Sequence, residues 1–257
     1  LNPVILSGDI GVKGRVADNS YHVFYHPATS NLDHTAILDG FSIILGNANG
    51  SLDHNSGGGM LNHQSSPQVR NCVFSSNYGV YGGAVFNING SSPDLVNSLF
   101  MDNRATDGAA VWNGINSSPK VLNCTFTQNL AVSGGGFYNY HLSNPVITNS
   151  ILWNNVPDEI TNSSGSQPQV TWSTVENGSG NDWFGSGCLD IDPGFRDGYH
   201  LGSDSPCIDA GNNEALLPDM IKDIDGRPRQ STPAWSEGEV ALNGPVVDMG
   251  ADEHQEP

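Results

Sequence analysis

Positive charge is what this chain has least of. Nine Lys and Arg against 27 Asp and Glu give a formal charge of −18 over 257 residues, and charged residues of both signs make up only 14%. A surface of that sign repels nucleic acid and anionic membranes, and would repel polyuronate chains unless a cation bridged them. Long apolar runs are also missing: none approaches 18 residues, so no stretch reads as a membrane span. Nor does any stretch of the central repeats carry about ten residues of 3.6-residue rhythm, which removes the helix as their building element. Met is absent from the first position, and no signal-like apolar segment comes after it, so Leu1 reads as the start of a processed product or of a fragment.

What the chain has instead is repetition. Proline recurs at Pro67, Pro93, Pro119, Pro145 and Pro168, at spacings of 26, 26, 26 and 23 residues. Five residues after each stand Cys72, Ser98, Cys124, Ser150 and Ser173, and two further on come Phe74, Phe100, Phe126, Leu152 and Val175. Asparagine keeps the beat in three columns: Asn62, Asn87, Asn113, Asn139, Asn162; Asn71, Asn97, Asn123, Asn149; and Asn77, Asn103, Asn129, Asn155. A period in this range means stacked repeats. Each unit holds three apolar runs of three to five residues closed by Asn, with Gly, Ser and Pro between them. Such runs are strands, and Asn and Gly tolerate the left-handed backbone that turns a corner. A leucine-rich repeat would need a leucine ladder and a convex helix or turn, and neither is present. The expected fold is all-β: a right-handed parallel β-helix of about 26 residues per coil, with three short strands per coil. Stacked coils sit about 4.8 Å apart, so the units of chemistry are columns rather than linear motifs.

Residues 1–56 read as degenerate early coils, with a polar loop over 9–20 and an insertion over 47–58 that leaves the wall. Residues 57–180 are the regular coils. Residues 181–257 lose the period and read as an irregular C-terminal cap closing the end of the solenoid within the same structural domain. Strand alternation puts Met60, Val85, Val111, Phe137 and Ile160 inside and an apolar column of Leu61, Phe86, Trp112 and Tyr138 outside. That column is the candidate binding surface, for sugar rings or for a covering loop or partner. The ladders Asn62, Asn87, Asn113, Asn139 and Asn71, Asn97, Asn123, Asn149 read as structural, through amide bonds up and down the stack. Cys72 and Cys124 share a column two coils apart, about 9 to 10 Å by strand spacing, too far to bond. They are expected as buried thiols, whereas Cys188 and Cys207, in a Gly- and Asp-rich region, are expected to form a disulfide in an oxidising compartment. In the tail, Asp190, Asp192, Asp223 and Asp225 alternate in pairs, and the Asp-x-Asp-Gly turn is part of what a calcium loop needs, without its terminal Glu.

Catalysis on such a fold needs convergence. A lyase needs a Lys or Arg base beside charge neutralisation, and the coils offer Arg70, Arg104 and Lys120. Arg70 shares a column with Val96, Leu122 and Thr148, so no carboxylate is expected above or below it; Lys120 stacks on Asp94; and Arg104 has Asp102 and Asp107 nearby. Arg104, Asp102, Asp107, Lys120 and Asp94 are the catalytic candidates. A hydrolase needs paired carboxylates on one face, yet Asp94, Asp102, Asp107 and Asp158 fall in different columns. His54, His63 and His141 lie in insertions or out of column, which gives the coils no metal cluster. Regular Thr columns for ice and Gly-Gly-x-Gly-x-Asp repeats for calcium are both missing.

The segments NPVILSGDI and AILDGFSI, the coils SSPxxxNCxF, the strand ending SILWNN and the tail LDIDPGF, SPCIDAGNN, DIDGRPR, VDMGADE carry a resemblance. Together, across essentially the whole chain, they resemble the bacterial secreted right-handed parallel β-helix repeat proteins with a choice-of-anchor type C-terminal region, whose architecture is that of pectate-lyase-like proteins. The resemblance implies an extracellular or bacterial cell-surface location, and further coils and a capping segment before NPVILSGD. It assigns no activity. The sequence therefore predicts a non-catalytic structural or binding β-helix: an adhesin, a matrix or filament component, or a carbohydrate-binding rod. Its partners would be polysaccharide, or copies of itself meeting end to end or laterally through an open N-terminal coil, with calcium as the candidate ion. The alternative is a polysaccharide lyase or glycoside hydrolase.

Overall fold

The computed structural model describes residues 4–229 and 246–254. The chain is a parallel β-helix in which each coil lays one strand in each of three long sheets. The first sheet runs from Val4–Ser7 and Phe41–Ile44 through Val73–Ser75, Leu99–Met101, Thr125–Thr127 and Ile151–Trp153 to Thr174–Val175. The second stacks Phe24–His26, Met60–His63, Val85–Ile88, Val111–Gly114, Phe137–Tyr140 and Ile160–Asn162, and the third stacks Ile37–Asp39, Gln68–Arg70, Asp94–Val96, Lys120–Leu122, Val146–Thr148 and Gln169–Thr171. A fourth, short sheet of Asn47–Ala48, Tyr78–Tyr81 and Arg104–Asp107 was not expected from the sequence. It forms at the corner between the first and second sheets. The predicted register holds, with Val85 opposite Val111 and Phe86 opposite Trp112, then Phe137 and Tyr138 in the next coil.

Stacked identical side chains fill the interior. Phe74, Phe100 and Phe126 are fully buried, with ring centroids 5.0 and 4.6 Å apart and planes within 9° and 7°. Ile43 and Leu152 continue that column above and below. Burying each ring is worth about 2 to 3 kcal/mol, and offset stacking adds to it. At the entry to the second sheet the backbone turns left-handed at Gly57, Gly82, Gly108 and Gly134, with φ of 64° to 66°. A Cβ there would come within 2.5 to 2.7 Å of a strand carbonyl oxygen, so only glycine fits.

The three Asn columns do three different jobs. Asn71, Asn97, Asn123 and Asn149 turn the corner, at φ of 48° to 51°. Asn62, Asn87, Asn113, Asn139 and Asn162 are strand residues pointing inward, each Nδ2 donating to the next Oδ1 at 2.9 Å, and His26 Nδ1 extends the ladder at 2.7 Å. Asn77, Asn103, Asn129 and Asn155 also point inward. The left-handed residues there are their predecessors Ser76, Asp102, Gln128 and Asn154. Each of these amides bonds both ways: Asn103 donates to Phe74 O and Asn129 Oδ1 while accepting from the N–H and the side chain of Asn77. The last rung is a carboxyl, Glu159, which receives both the backbone and the side chain of Asn155.

Only part of the tail closes the end of the solenoid. Phe184 bridges Val170 and Leu189 bridges Thr174, and Trp183, Phe184 and Cys188 sit against the interior core. From about residue 190 the chain instead folds back along the outside of the first sheet. Leu201, Cys207 and Met249 bury Ile151 there in a second core. This strap docks on the Asn71 column. Asn149 Nδ2 donates to Asn212 O, Asn123 Nδ2 to Asp248 O and Asn97 Nδ2 to Lys222 O, at 3.0, 3.1 and 3.0 Å. Arg70 pairs with Asp219 further along. The expected amide bonds up and down this column form between Asn97 and Asn71 and between Asn149 and Asn123, and the same amides serve the strap as a docking rail. Residues 230–245 and 255–257 of the expected cap lie outside the described residues.

The four cysteines are free thiols, so the expected bond between Cys188 and Cys207 is not formed. The two stand on opposite sides of the first sheet's wall: Cys188 faces the interior core and Cys207 the outer one, with its Sγ 3.1 Å from Thr174 Oγ1. Cys72 and Cys124 are buried, and burial pushes their thiols up to about 11 and about 12.

Candidate functional site

The outward column on the second sheet lies at the floor of a groove. Leu61, Phe86 and Trp112 are only 1%, 7% and 9% exposed, because the chain itself covers much of them. The indole of Trp112 stacks on Phe86 at 4.6 Å and on Tyr140 at 6.2 Å, and Tyr81 tilts against it at 5.9 Å. Gly114 makes this possible, since a Cβ there would meet Trp112 Cη2 at 2.3 Å. Tyr138 continues the stack at 6.4 Å with its ring parallel to the indole. The far wall is the insertion. Its first residues, Asn47–Ala48, belong to the fourth sheet, and the chain leaves the wall only after them, in a 3-10 turn over Leu52–Asn55. Leu52, Asp53, Asn55 and Ser56 rise from it to enclose, with His63, Tyr81 and the floor, about 290 Å³.

Behind that wall lies an aromatic cluster that strand patterning did not reveal. Tyr21 stacks on His54 at 4.8 Å, and His22 stacks on Tyr25 at 5.2 Å. The Tyr25 hydroxyl donates to Asp53 Oδ2 at 3.3 Å, which ties the second sheet to the groove wall. His22 Nδ1 is bonded to Gly57 O and its ring is shielded; burial holds its pKa below the ordinary histidine value and so favours the neutral ring.

The catalytic candidates are spread over two faces. Asp94 and Lys120 are register neighbours on the third sheet, but Asp94 takes Gln68 Nε2 at 3.3 Å and His34 Nδ1 at 3.2 Å instead of an ion pair with Lys120. Asp102 is an exposed corner, and Arg104 and Asp107 stand beside Tyr78 and Tyr81 in the fourth sheet. Burial raises the Asp107 carboxyl. Arg70 does have carboxylates near it: Asp39 stands in its own column, in the coil before the regular ones, and Asp219 reaches it from the strap.

The four tail carboxylates have separate partners. Asp190 holds the turn before it, accepting from Asn177 N at 2.9 Å and Ser179 N at 3.0 Å, and those bonds, Ser179's first, keep its pKa low. Asp192 accepts from Gly194 N. Asp223 spends both oxygens on backbone, taking Asp225 N and Arg227 N on one and Glu253 N on the other. Asp225 turns to the side chains of the strap, accepting from Tyr199 Oη at 3.2 Å and lying 2.7 Å from His200 Nε2. His200 Nδ1 is 2.5 Å from Asp197 Oδ1. Burial works to lower this imidazole's pKa, but the bonds to Asp197 and Asp225 outweigh it and hold it above the ordinary value.

At the centre of the strap lies Arg229, 1% exposed. Its Nη2 donates to Asn97 Oδ1, to Gly250 O at 3.1 Å and to Ala251 O at 2.9 Å, while Nη1 meets Glu253 Oε2 at 3.3 Å. Burial pushes the Glu253 carboxyl up, Asp248 adds to that, and Arg229 opposes it. One guanidinium thus joins two strap segments to a corner Asn of the coils.

Compared with family models, curated proteins and solved structures, the chain matches none. No described helix is long and apolar enough to cross a membrane.

Proposed function

We propose that this chain is a secreted or bacterial cell-surface β-helix that acts by binding, as an adhesin, matrix or filament component, and that it takes neutral carbohydrate in the groove beside the insertion. The observation that carries this reading is the groove's construction, an apolar floor of Leu61, Phe86 and Trp112 under a rim of Asp53, Asn55, Ser56 and His63. Sugar rings present C–H faces that lie on aromatic surfaces and hydroxyls that need hydrogen-bond partners at the edge. Tyr81 and Tyr140, 37% and 40% exposed, extend the aromatic surface beyond the covered floor. The net charge of −18 and the rim carboxylate of Asp53 favour neutral chains over polyuronates. Dispersal of Asp94, Lys120, Asp102, Arg104 and Asp107 over two faces supports binding over cleavage. The location and the bacterial source rest on the resemblance of the motifs alone.

The test is a titration with neutral and acidic polysaccharides, read by tryptophan fluorescence and by an assay for new reducing ends. The expected result is saturable binding of a neutral polysaccharide without cleavage, weakened about tenfold in Tyr81→Ala. Absence of binding across the panel would sink the groove as a carbohydrate site. New reducing ends or unsaturated products would replace the reading with a lyase or hydrolase.

A further inference from the structure

Three segments of the strap meet at His200, Asp225 and Asp252, each of which brings a ligand-type atom within 4.8 Å of the other two. Atoms bound to one zinc ion, each about 2 Å from it, stand about 3.3 Å apart, so no pair need close by more than about 1.5 Å, while His200 Nε2 and Asp225 Oδ2, now hydrogen-bonded at 2.7 Å, open by about 0.6 Å to admit the ion. Each of the three is steered by a second bond. His200 is held at Nδ1 by Asp197, which presents Nε2; Asp225 Oδ1 is held by the Tyr199 hydroxyl, which presents Oδ2; Asp252 Oδ2 accepts Leu201 N at 2.8 Å, which presents Oδ1. This is the outer-shell pattern that orients histidine and carboxylate ligands around a metal.

An independent observation points the same way. Asp252 is 2% exposed, and its Oδ1 is buried without a hydrogen bond. A bare carboxylate oxygen in that position costs free energy unless a cation serves it. The guanidinium of Arg227 stands nearby, its Nη1 3.6 Å from Asp252 Oδ1 and 3.8 Å from Asp225 Oδ2, which shows that both oxygens face one spot. Those distances are too long for hydrogen bonds, and the Arg227 side chain is 40% exposed and able to withdraw.

We propose that His200 Nε2, Asp225 Oδ2 and Asp252 Oδ1 bind one divalent transition-metal ion, which clips the three strap segments together. An imidazole with two carboxylates suits zinc or a similar ion, whereas calcium takes oxygen ligands almost exclusively. The ion takes the place of any proton on Nε2 and displaces the Arg227 side chain into solvent.

The experiment uses the full chain without an affinity tag, stripped with chelator and then titrated calorimetrically with Zn²⁺ and, separately, with Ca²⁺. One equivalent of Zn²⁺ is expected, undisturbed by a hundredfold excess of Ca²⁺, and Co²⁺ should give ligand-field bands. His200→Ala should abolish binding, and Tyr199→Phe should weaken it about tenfold, as outer-shell losses do. Arg227→Ala should tighten it several-fold by removing the competitor, a gain that a purely structural ion-pair cluster would not give. The proposal fails if no Zn²⁺ binds, if Ca²⁺ binds in its place, if His200→Ala still binds Zn²⁺ as the parent does, or if Arg227→Ala binds no more tightly.

Discussion

The coils and the strap hold themselves together by opposite means. In the coils one uncharged contact is repeated: the amide of Asn87 bonds Asn113 as Asn113 bonds Asn139, and Phe74 covers Phe100 as Phe100 covers Phe126. Each contact is modest and has copies above and below. In the strap the contacts are unique, long in sequence and charged, with Arg229 reaching Asn97 and Glu253, and Asp223 holding two separate turns. A solenoid's stability is close to a sum over neighbours, so loss of one rung is shared. A buried ionic network lacks that tolerance, because removal of one member strands the others.

Breaking the strap at its centre should have the largest effect. Arg229→Met leaves Glu253 and its neighbouring carboxylates without their buried cation, at a cost of about 3 to 5 kcal/mol in urea unfolding. Hydrogen exchange should then quicken in residues 200–229 and 246–254 while the Asn87 and Asn113 amides stay protected. Equal loss of protection in both regions would show that strap and coils fold as one unit.

Next in size is a pH effect at the far end of the Asn77 ladder. Burial pushes the Glu159 carboxyl up to about 8 from 4.5, with Asn155 opposing and Glu176 adding to the rise. The folded state therefore holds a proton that the unfolded state has released. This contribution is fully present below about pH 4.5 and is lost as pH rises through about 8, on the order of 5 kcal/mol in all. Glu159→Gln should flatten that slope in urea midpoints measured from pH 5 to 9, and an unchanged slope would assign the dependence to the strap carboxyls.

Within the ladder, Asn103→Ala strands the N–H and amide of Asn77 and the carbonyl of Phe74, and should cost about 3 kcal/mol by thermal or urea unfolding. A cost under about 1 kcal/mol would mean that water or a shifted neighbour replaces the rung. The smallest effect expected is a gain. Ile115 is β-branched yet held at φ of 52°, in a column where the previous coil has Asn89 at 58°. Ile115→Asn should relieve about 1 kcal/mol of backbone strain and raise the melting temperature slightly.

Much of the coil architecture was readable because a period multiplies weak signals. Pro67 to Pro168 set the register, the Phe74 column marked the inside, and Leu61, Phe86, Trp112 and Tyr138 marked one outer face. The fourth sheet escaped because Tyr78–Tyr81 and Arg104–Asp107 alternate no apolar pattern, being strands only by virtue of the coils above and below. The groove was half visible: its floor lies in a column, but its wall is an insertion without period. The disulfide expectation failed because sequence distance between Cys188 and Cys207 says nothing about which side of a wall each one faces.

By itself the sequence determined the repeat, the parallel stacking, the inner and outer faces and the acidic surface. Those come from local spacing and from the strand separation of about 4.8 Å, which turns a period into a column. Only the tertiary structure decided that the Asn71 column is a rail for the strap, that Trp112 is a covered floor, and that His200 meets Asp225 and Asp252. Those contacts join residues far apart in the chain with no repeat to announce them. They depend on where a non-periodic chain comes to rest, which hydrophobic burial of Ile151 and the charge of Arg229 select and no local pattern encodes.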